Sequence, residues 1–270
     1  MIFARQKVEL PHGLVIANTP IERKSEARFL GVIVDEKLSW SKHISTLKTK
    51  MSRYVGIMFK IKSLIPVQVR LQIFHSFIQS HINYCSLVWG FSAKSNIESL
   101  FVKQKKGMRA VMPGYASSYY KDGKIPTHTK ASFNKFKVLT VQGIVVKNAL
   151  VFMQKVKYFP RTLPLSVKET IARDAPVADS NHETCEEWLN NFNNSFHRKS
   201  VFYKAPLLSI DTEISQLTTP TTLFSIKAYK NSAKRFLLEL QGRGDVDEWQ
   251  AVNFLLYNIR GLRQSSRQKE

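Results

Sequence analysis

Residues 29–44 read FLGVIVDEKLSWSKHI, and the pattern of apolar residues changes within this stretch. The first part, FLGVIV at 29–34, is apolar and rich in β-branched residues, which is typical of a short β-strand. Beyond it, Ile44, Leu47 and Met51 recur at three- and four-residue steps, the spacing of an amphipathic α-helix. The stretch therefore predicts that strands give way to helices near residue 36.

The segment before this stretch also has the character of short strands. Val8 and Leu10 alternate with polar residues, and a second apolar group follows at 14–16. A Pro-His-Gly turn at 11–13 and a charged turn at 22–26 separate these groups. We predict two or three short β-strands within residues 1–36.

Three helices are predicted after residue 37. The first has about five turns and continues the apolar row through Val55 and Met58. The second covers 67–83, with Pro66 at its first turn, and the third covers 96–111. The residues expected to face inward from the second and third helices are Val69, Ile73, Phe74, Phe77, Ile78, Ile97, Leu100, Phe101, Met108 and Val111. Three helices of this size can close a small bundle, so we predict a mainly α fold.

Residues 113–130 are polar and rich in Gly, Pro, Ser and Tyr, which predicts an exposed linker. Beyond it the apolar spacing predicts helices at 139–156 and 224–240, and six acids outnumber two bases at 167–196. The predicted organisation is N-terminal strands at 1–36, a basic helical unit at 37–113, a linker at 114–132 and a second helical region at 133–270. We expect the second region to pack on the first.

The chain is strongly basic, with 41 Lys and Arg against 20 acids, a net charge of +21 and a pI near 10. Between Lys42 and Arg109 twelve cations face one acid, Glu98, so +11 of the net charge is concentrated in about a quarter of the chain. This concentration indicates a binding surface for a polyanion. The candidate phosphate contacts on the first and third predicted helices of this unit are Lys42, Lys48, Lys50, Arg53, Lys60, Lys62, Lys103, Lys105, Lys106 and Arg109.

Other classes of protein fit the sequence poorly. Cys85 and Cys185 lack the paired spacing of a zinc site or a disulfide framework. The most apolar stretch, 138–153, is interrupted by Gln142, Lys147 and Asn148, and is too short and polar to cross a bilayer. The N-terminus has no apolar run long enough for a signal peptide. We expect a soluble, intracellular protein that does not insert in a membrane.

No complete catalytic site is visible in the sequence. Two-metal phosphoryl transfer needs acids held close together, whereas the chain has no Asp-Asp pair. Glu186-Glu187 fits a solvated helix start, and the Gly-Arg-Gly-Asp turn at 242–245 is not a phosphate-binding loop. His75 and His81, six residues apart, do not have metal-ligand spacing. We therefore predict no catalytic residue, no metal ligand and no cofactor in this chain.

The aromatic residues leave two interpretations open. Trp40 and Trp89 lie among apolar neighbours at predicted helix ends, so we expect both in the core. Tyr54 and Phe59 stand beside Arg53 and Lys60, which would allow stacking on a base or sugar. Core packing is the alternative for both of them.

Several blocks resemble the reverse transcriptases of non-LTR retrotransposons, the LINE-like elements of the jockey and CR1 type. The first block combines FLGV at 29–32 with DEKLSWSKHI at 35–44, and the second is INYCSLVWG at 82–90. The third is LFVKQKKGMR at 100–109. Weaker likenesses follow at 152–155, 202–206 and 225–230, so the resemblance covers most of the chain and is weaker after residue 114.

The resemblance implies a place for each part of the chain in such a polymerase. Phe29, Leu30 and Gly31 would belong to a primer grip at the edge of the palm, and His43 would join the candidate contacts. The basic helices would form a thumb along the template–primer duplex, and the second helical region would be the connection region. The Tyr-X-Asp-Asp turn of the family is not present, so Mg²⁺ would belong to a palm outside this sequence. We expect a truncated copy or partial gene product.

Three functions remain as hypotheses. The first is a non-catalytic polymerase piece that binds RNA, DNA or an RNA–DNA hybrid and works with a separately supplied catalytic half. The second is a domesticated fragment that binds another protein, for which the acidic stretch at 183–187 is the one indication. The third is an enzyme in its own right, which would require a site that the sequence does not reveal.

Overall fold

The computed structural model describes residues 15–112, 129–167 and 225–242. The predicted strand at Val8 and Leu10, the linker at 113–128, most of the acidic stretch, and Cys185 with Glu186-Glu187 lie outside the described residues. Two short antiparallel strand pairs come first, and helices follow. The predicted mainly α fold with short N-terminal strands is confirmed.

The strands form two small hairpins. Strand β1 (Val15–Ile16) pairs with β2 (Thr19–Pro20), and β3 (Glu26–Phe29) pairs with β4 (Val32–Asp35). The prediction of one strand across 29–34 is wrong, because Phe29 pairs with Val32 and the two residues between them make the turn. Leu30 and Gly31 have φ values of 46° and 81°, as a tight turn matched to the strand twist requires. Leu-Gly lacks the usual Asn-Gly signal, so the alternation of apolar residues concealed the turn.

The carboxylate of the last residue of the second hairpin, Asp35, fixes where the first helix begins. Asp35 accepts hydrogen bonds from the backbone N–H groups of Ser39, at 2.9 Å, and Trp40, at 3.0 Å. Burial alone would raise the pKa of Asp35, but these N–H donors outweigh it and hold the pKa below its usual value. Leu38 and Trp40 have positive φ values of 48° and 64°, so the chain turns sharply before helix α1 starts at Ser41.

The predicted three helices are present between residues 41 and 111. Helix α1 spans Ser41–Ile61. The second helix is α2 (Val67–Phe74), a π-helical turn (His75–Gln79) and α3 (Ser80–Asn83) in direct succession. A short α4 (Ser86–Trp89) precedes α5 (Lys94–Val111). Pro66 lies just before α2, in extended conformation, and is not its first residue.

The inward face of the second helix differs from the prediction. Val69 and Phe77 are 39% and 44% exposed, whereas the buried row runs through Arg70, Phe74, Ile78 and Ile82. A π-helical turn holds more residues than an α-turn, so the buried positions continue at four-residue steps and Phe77 rotates outward. The predicted inward residues of α5 are all buried.

The second helical region joins the same core. It contains α6 (Lys130–Lys135), α7 (Val141–Tyr158), a 3-10 turn (Pro160–Thr162) and α8 (Ile226–Gly242). Thr140 caps α7 by accepting the N–H of Gly143 at 3.2 Å. Helix α8 packs along α7, and one hydrophobic cluster extends from Val32 to Leu237. The helices predicted at 139–156 and 224–240 are confirmed. The predicted packing of this region on the basic helical unit is also confirmed.

A buried glutamine ties α5 to the start of α7. The Gln104 side-chain N–H₂ donates to Gln79 Oε1 at 3.0 Å and to the Leu139 carbonyl at 2.9 Å. Its Oε1 accepts the Val141 N–H at 3.0 Å. Val141 is the first residue of α7 and fully buried, so its N–H has no intrahelical acceptor. Gln104 therefore satisfies a helix end that water cannot reach.

Gln104→Leu is expected to lower the free energy of unfolding by about 2 to 3 kcal/mol, because it leaves the buried Val141 N–H without an acceptor. Urea denaturation followed by far-UV circular dichroism measures the change. Gln68→Leu, the same substitution at an exposed position of α2, is the control and should change stability little. Equal effects at the two positions would show that the network does not stabilise the junction.

Candidate nucleic-acid interface

The outer side of α1 carries a line of three exposed cations, Lys42, Arg53 and Lys60. The spacings of eleven and seven residues are close to whole helical turns, so the three share one side of the helix. The buried residues Ile44, Met51 and others lie on the opposite side. We call Lys42, Arg53 and Lys60 the outer line of α1.

Neighbouring charges distinguish the members of this line. Lys42 Nζ lies 3.7 Å from Glu26 Oε1, an exposed ion pair that joins β3 to α1. Among the residues that the structure describes, Arg53 and Lys60 form no ion pair. Glu98, the acid between Lys42 and Arg109, pairs with Lys94 at 3.7 Å on α5. Within the part of the chain that the structure describes, two cations on the exposed side of α1 therefore have no ion-pair partner.

Lys48 and Lys50 lie on opposite flanks of α1, because two residues correspond to a rotation of about 200°. Lys48 is half-buried and Lys50 is exposed. Lys50 and Arg28 both line a small pocket of about 90 Å³ between the β3–β4 hairpin and α1. The remaining lining residues are Gly31, Ile33, His43, Thr46 and Leu47. Among the described residues, the wall of this pocket therefore has two cations and no acid.

The tip of the β3–β4 hairpin projects into solvent. Phe29 is 69% exposed and Leu30 is 73% exposed, although both are large and apolar. The Tyr84 hydroxyl donates to the Leu30 carbonyl at 2.7 Å, and the Tyr84 ring lies against Gly31. The three residues that the resemblance assigns to a primer grip thus form one exposed turn. The turn is held by Tyr84, which belongs to the second block of the resemblance, at 82–90.

His43 lies in the core and does not belong to the exposed surface. It is 8% exposed, its Nδ1 accepts the Ile33 N–H at 3.4 Å, and its ring is 6.1 Å from that of Trp89. Burial and then repulsion from Lys50 lower its pKa, which favours the neutral ring. It holds the hairpin on α1. Trp40 and Trp89 are buried, as predicted.

Helix α5 does not present a single cationic face. Of the four cations predicted to face outward, Lys106 is exposed, and Lys103, Lys105 and Arg109 are half-buried. Lys105 Nζ lies 4.5 Å from the centre of the Phe101 ring, and its pKa is lowered by burial and then by repulsion from Arg109. The amphipathic spacing of α5 identified its buried side correctly but could not show that long side chains lie along that side.

Two of the other candidates also contact aromatic rings. Lys62 Nζ lies 5.2 Å from the centre of the Phe59 ring, just after the end of α1. Tyr54 stacks on Phe77, with ring centres 4.9 Å apart, and meets the edge of His81 at 5.5 Å. Sequence reasoning missed Phe77 as a surface residue, since only the π-helical turn brings it outward. The Tyr54 ring therefore packs against two neighbouring rings and is also half-exposed.

In the described ranges no three His, Cys, Asp or Glu side chains come together in a way that could hold a metal ion. Nor does any helix within those ranges have the length and apolar character needed to cross a membrane. Besides Glu26, which pairs with Lys42, two acids near the interface pair with other cations: Glu36 lies 3.9 Å from Arg23, and Glu22 lies 3.6 Å from Lys24.

Comparison with known proteins gives one informative similarity. No protein-family model matches the chain, and no solved structure matches it significantly. A probable RNA-directed DNA polymerase from transposon X-element of Drosophila melanogaster is 24% identical over 108 residues. The match covers 39% of this chain and 12% of that polymerase, so the chain spans a small part of its relative's length. This similarity supports a common origin with a transposon RNA-directed DNA polymerase.

Proposed function

We propose that the chain is a thumb-containing part of a non-LTR retrotransposon polymerase and binds the template–primer duplex through the exposed side of α1. The observation that carries the proposal is the pair of uncompensated cations, Arg53 and Lys60, on the outer line of α1. Cations without acidic neighbours attract phosphates strongly, because binding releases the counterions condensed on the nucleic acid.

The β3–β4 hairpin extends this surface. Arg28 and Lys50 both line the pocket beside α1, and Phe29 and Leu30 form an exposed apolar tip at the end of the same hairpin. A cationic pocket next to an apolar tip suits a nucleic-acid strand, which offers phosphates on one side and base or sugar faces on the other. In the proposal the hairpin contacts one strand end and α1 follows the backbone.

The proposed contacts are to the backbone, so binding should depend little on base sequence. Lys and Arg side chains that reach phosphates carry no direct sequence information. A surface that follows a newly copied duplex must accept every sequence, and an RNA–DNA hybrid has A-like geometry that a protein can recognise by shape. The proposal assigns the magnesium chemistry to a palm domain with its own carboxylates and gives this chain a binding role.

We expect the full chain to bind two RNA–DNA hybrids of equal length and unrelated sequence with dissociation constants that agree within about threefold, because phosphate contacts are not base-specific. Fluorescence anisotropy with labelled hybrids measures both constants, and single-stranded RNA and duplex DNA of the same length are run in parallel. Absence of binding to all four at about 0.1 M salt would refute the proposal. Capture of a protein partner that survives nuclease treatment, together with no hybrid binding, would favour the interaction module instead.

A further inference from the structure

Three aromatic rings meet on the surface between α1 and the second helix. The Tyr54 ring of α1 stacks on Phe77, with ring centres 4.9 Å apart and ring planes inclined by 29°. The His81 ring lies nearly perpendicular to that of Tyr54, with the centres 5.5 Å apart. Phe77 is 44% exposed, and the other two side chains are half-buried. We call Tyr54, Phe77 and His81 the aromatic platform.

Exposed side chains continue the aromatic platform at both ends. Ile57 lies one turn after Tyr54 on α1 and is 52% exposed. Tyr84 lies one turn after His81 and is 54% exposed, and its hydroxyl donates to the Leu30 carbonyl at 2.7 Å. Apolar and aromatic groups therefore follow one another along the surface from α1 to the tip of the β3–β4 hairpin.

The π-helical turn at His75–Gln79 is what brings Phe77 to this surface. Such turns are rare inside helices and occur frequently at functional sites. A single exposed apolar side chain is ordinary, but a contiguous group of exposed apolar side chains is typical of a binding surface. The turn thus places a large ring where it contributes contact area for a ligand and little to the core.

The charge around the aromatic platform indicates the kind of ligand. Lys50 lies one turn before Tyr54 on α1, Arg53 is adjacent to Tyr54, and both cations are exposed. Residues 37–97 contain no Asp or Glu. Burial and then repulsion from Lys50 lower the pKa of His81, which favours a neutral ring within the platform. Exposed rings bordered by cations are the combination that single-stranded nucleic acids require, because bases stack on the rings and phosphates pair with the cations.

We propose that the aromatic platform binds unpaired bases of a single nucleic-acid strand, with Phe77 as the stacking surface and Lys50 and Arg53 contacting the neighbouring phosphates. The inference rests on the proposed nucleic-acid binding of α1 for its class of ligand. It adds a second mode of binding, in which the chain holds the bases of a strand where that strand leaves the duplex. Stacking accepts any base sequence because every base has a π-face.

The test compares two single strands of about ten nucleotides, a length that such surfaces cover. One strand is intact, and the other carries abasic sites, which keep every phosphate and remove the bases. For the unmodified chain, fluorescence anisotropy should show about tenfold weaker binding of the abasic strand. Phe77→Leu keeps an apolar side chain and removes the ring, so it should weaken binding of the intact strand about tenfold and leave the abasic strand unchanged.

Phe59 provides the matched control. It lies five residues after Tyr54, a rotation of about 140° around α1, and is 37% exposed. Phe59→Leu should leave binding of both strands unchanged, and Phe77→Trp should retain the preference for the intact strand because it keeps a π-face. A 2-aminopurine base in the strand should lose fluorescence on binding the unmodified chain and keep it with Phe77→Leu. Equal binding of the two strands by the unmodified chain, or equal losses for Phe59→Leu and Phe77→Leu, would overturn the proposal.

A blunt RNA–DNA hybrid separates this inference from the duplex interface. Such a hybrid has no unpaired base, so Phe77→Leu should leave its dissociation constant unchanged, and a tenfold loss there would contradict the stacking role. Hybrid binding without a preference for the intact strand would refute this inference alone. A preference for the intact strand without hybrid binding would refute the duplex interface alone. Phe77 and Phe59 are both exposed, so circular dichroism should show the fold unchanged in each variant.

Discussion

Arg53→Glu combined with Lys60→Glu is expected to weaken binding of an RNA–DNA hybrid about a hundredfold at about 0.1 M salt. Each phosphate contact contributes a factor of roughly eight at this salt concentration, from a counterion-release slope of about 0.9 per contact. Losing two contacts therefore costs about sixtyfold, and two glutamates add repulsion. Fluorescence anisotropy of a labelled hybrid measures the loss. Both side chains are exposed, so folding should be preserved.

The matched control makes the same change in net charge at two positions outside α1. Lys135→Glu combined with Arg235→Glu also removes two exposed cations and adds two acids, but on α6 and α8. If the outer line of α1 is the interface, this variant should lose less than about fivefold, since only long-range attraction falls. Equal losses in the two double variants would mean that net charge alone drives binding and that α1 has no special role.

Trp89→Ala should cost the largest amount of stability of any single substitution considered, about 3 to 5 kcal/mol. The Trp89 side chain is fully buried, and its indole N–H donates to the Tyr84 carbonyl at 3.0 Å. Truncation leaves a cavity next to His43 and removes that donor, so the hairpin support should loosen together with the core. Thermal denaturation followed by circular dichroism should show a fall in Tm of roughly 10 °C.

Val88 provides the control for Trp89. It precedes Trp89 on α4 and is 45% exposed, so Val88→Ala removes apolar atoms without opening a buried cavity. We expect a change below about 1 kcal/mol, as is usual for surface positions. A loss of stability at Val88 as large as that at Trp89 would indicate that helix α4, and not the tryptophan cavity, is the sensitive feature.

The helices could be predicted because their apolar spacing is an intrinsic property of the chain. The row through Ile44, Leu47 and Met51 predicted α1 and its buried side, and the spacing on α5 also agreed with the observed buried side. Fold class and core tryptophans followed from the same reasoning. These features depend on neighbours within one helix, which the sequence displays directly.

The features that sequence reasoning missed depend on contacts between distant segments. The Leu30–Gly31 turn is stabilised by Tyr84, which is 54 residues away from Leu30, and Gln104 bonds to Leu139, 35 residues away. The burial of His43 could not be predicted, because it depends on the β3–β4 hairpin, whose Ile33 N–H bonds to the His43 ring. Periodicity gives no information about such partners, so the buried polar positions could not be inferred.

The candidate interface was predicted only in outline. Charge density located the basic segment, but it did not distinguish Arg53 and Lys60, which are exposed, from Lys105, whose amine lies over the Phe101 ring. The difference arises because a long aliphatic stem can lie along the apolar side of a helix while its charge remains near solvent. Counting cations therefore overestimates the number available to phosphates.

The salt dependence of hybrid binding tests the central claim most directly. The logarithm of the association constant should fall linearly with the logarithm of the salt concentration for the unmodified chain, with a slope of several units. For the variant carrying Arg53→Glu and Lys60→Glu the slope should be shallower by about two, one for each lost phosphate contact. An identical slope for the two proteins would contradict the assignment of phosphate contacts to the exposed side of α1.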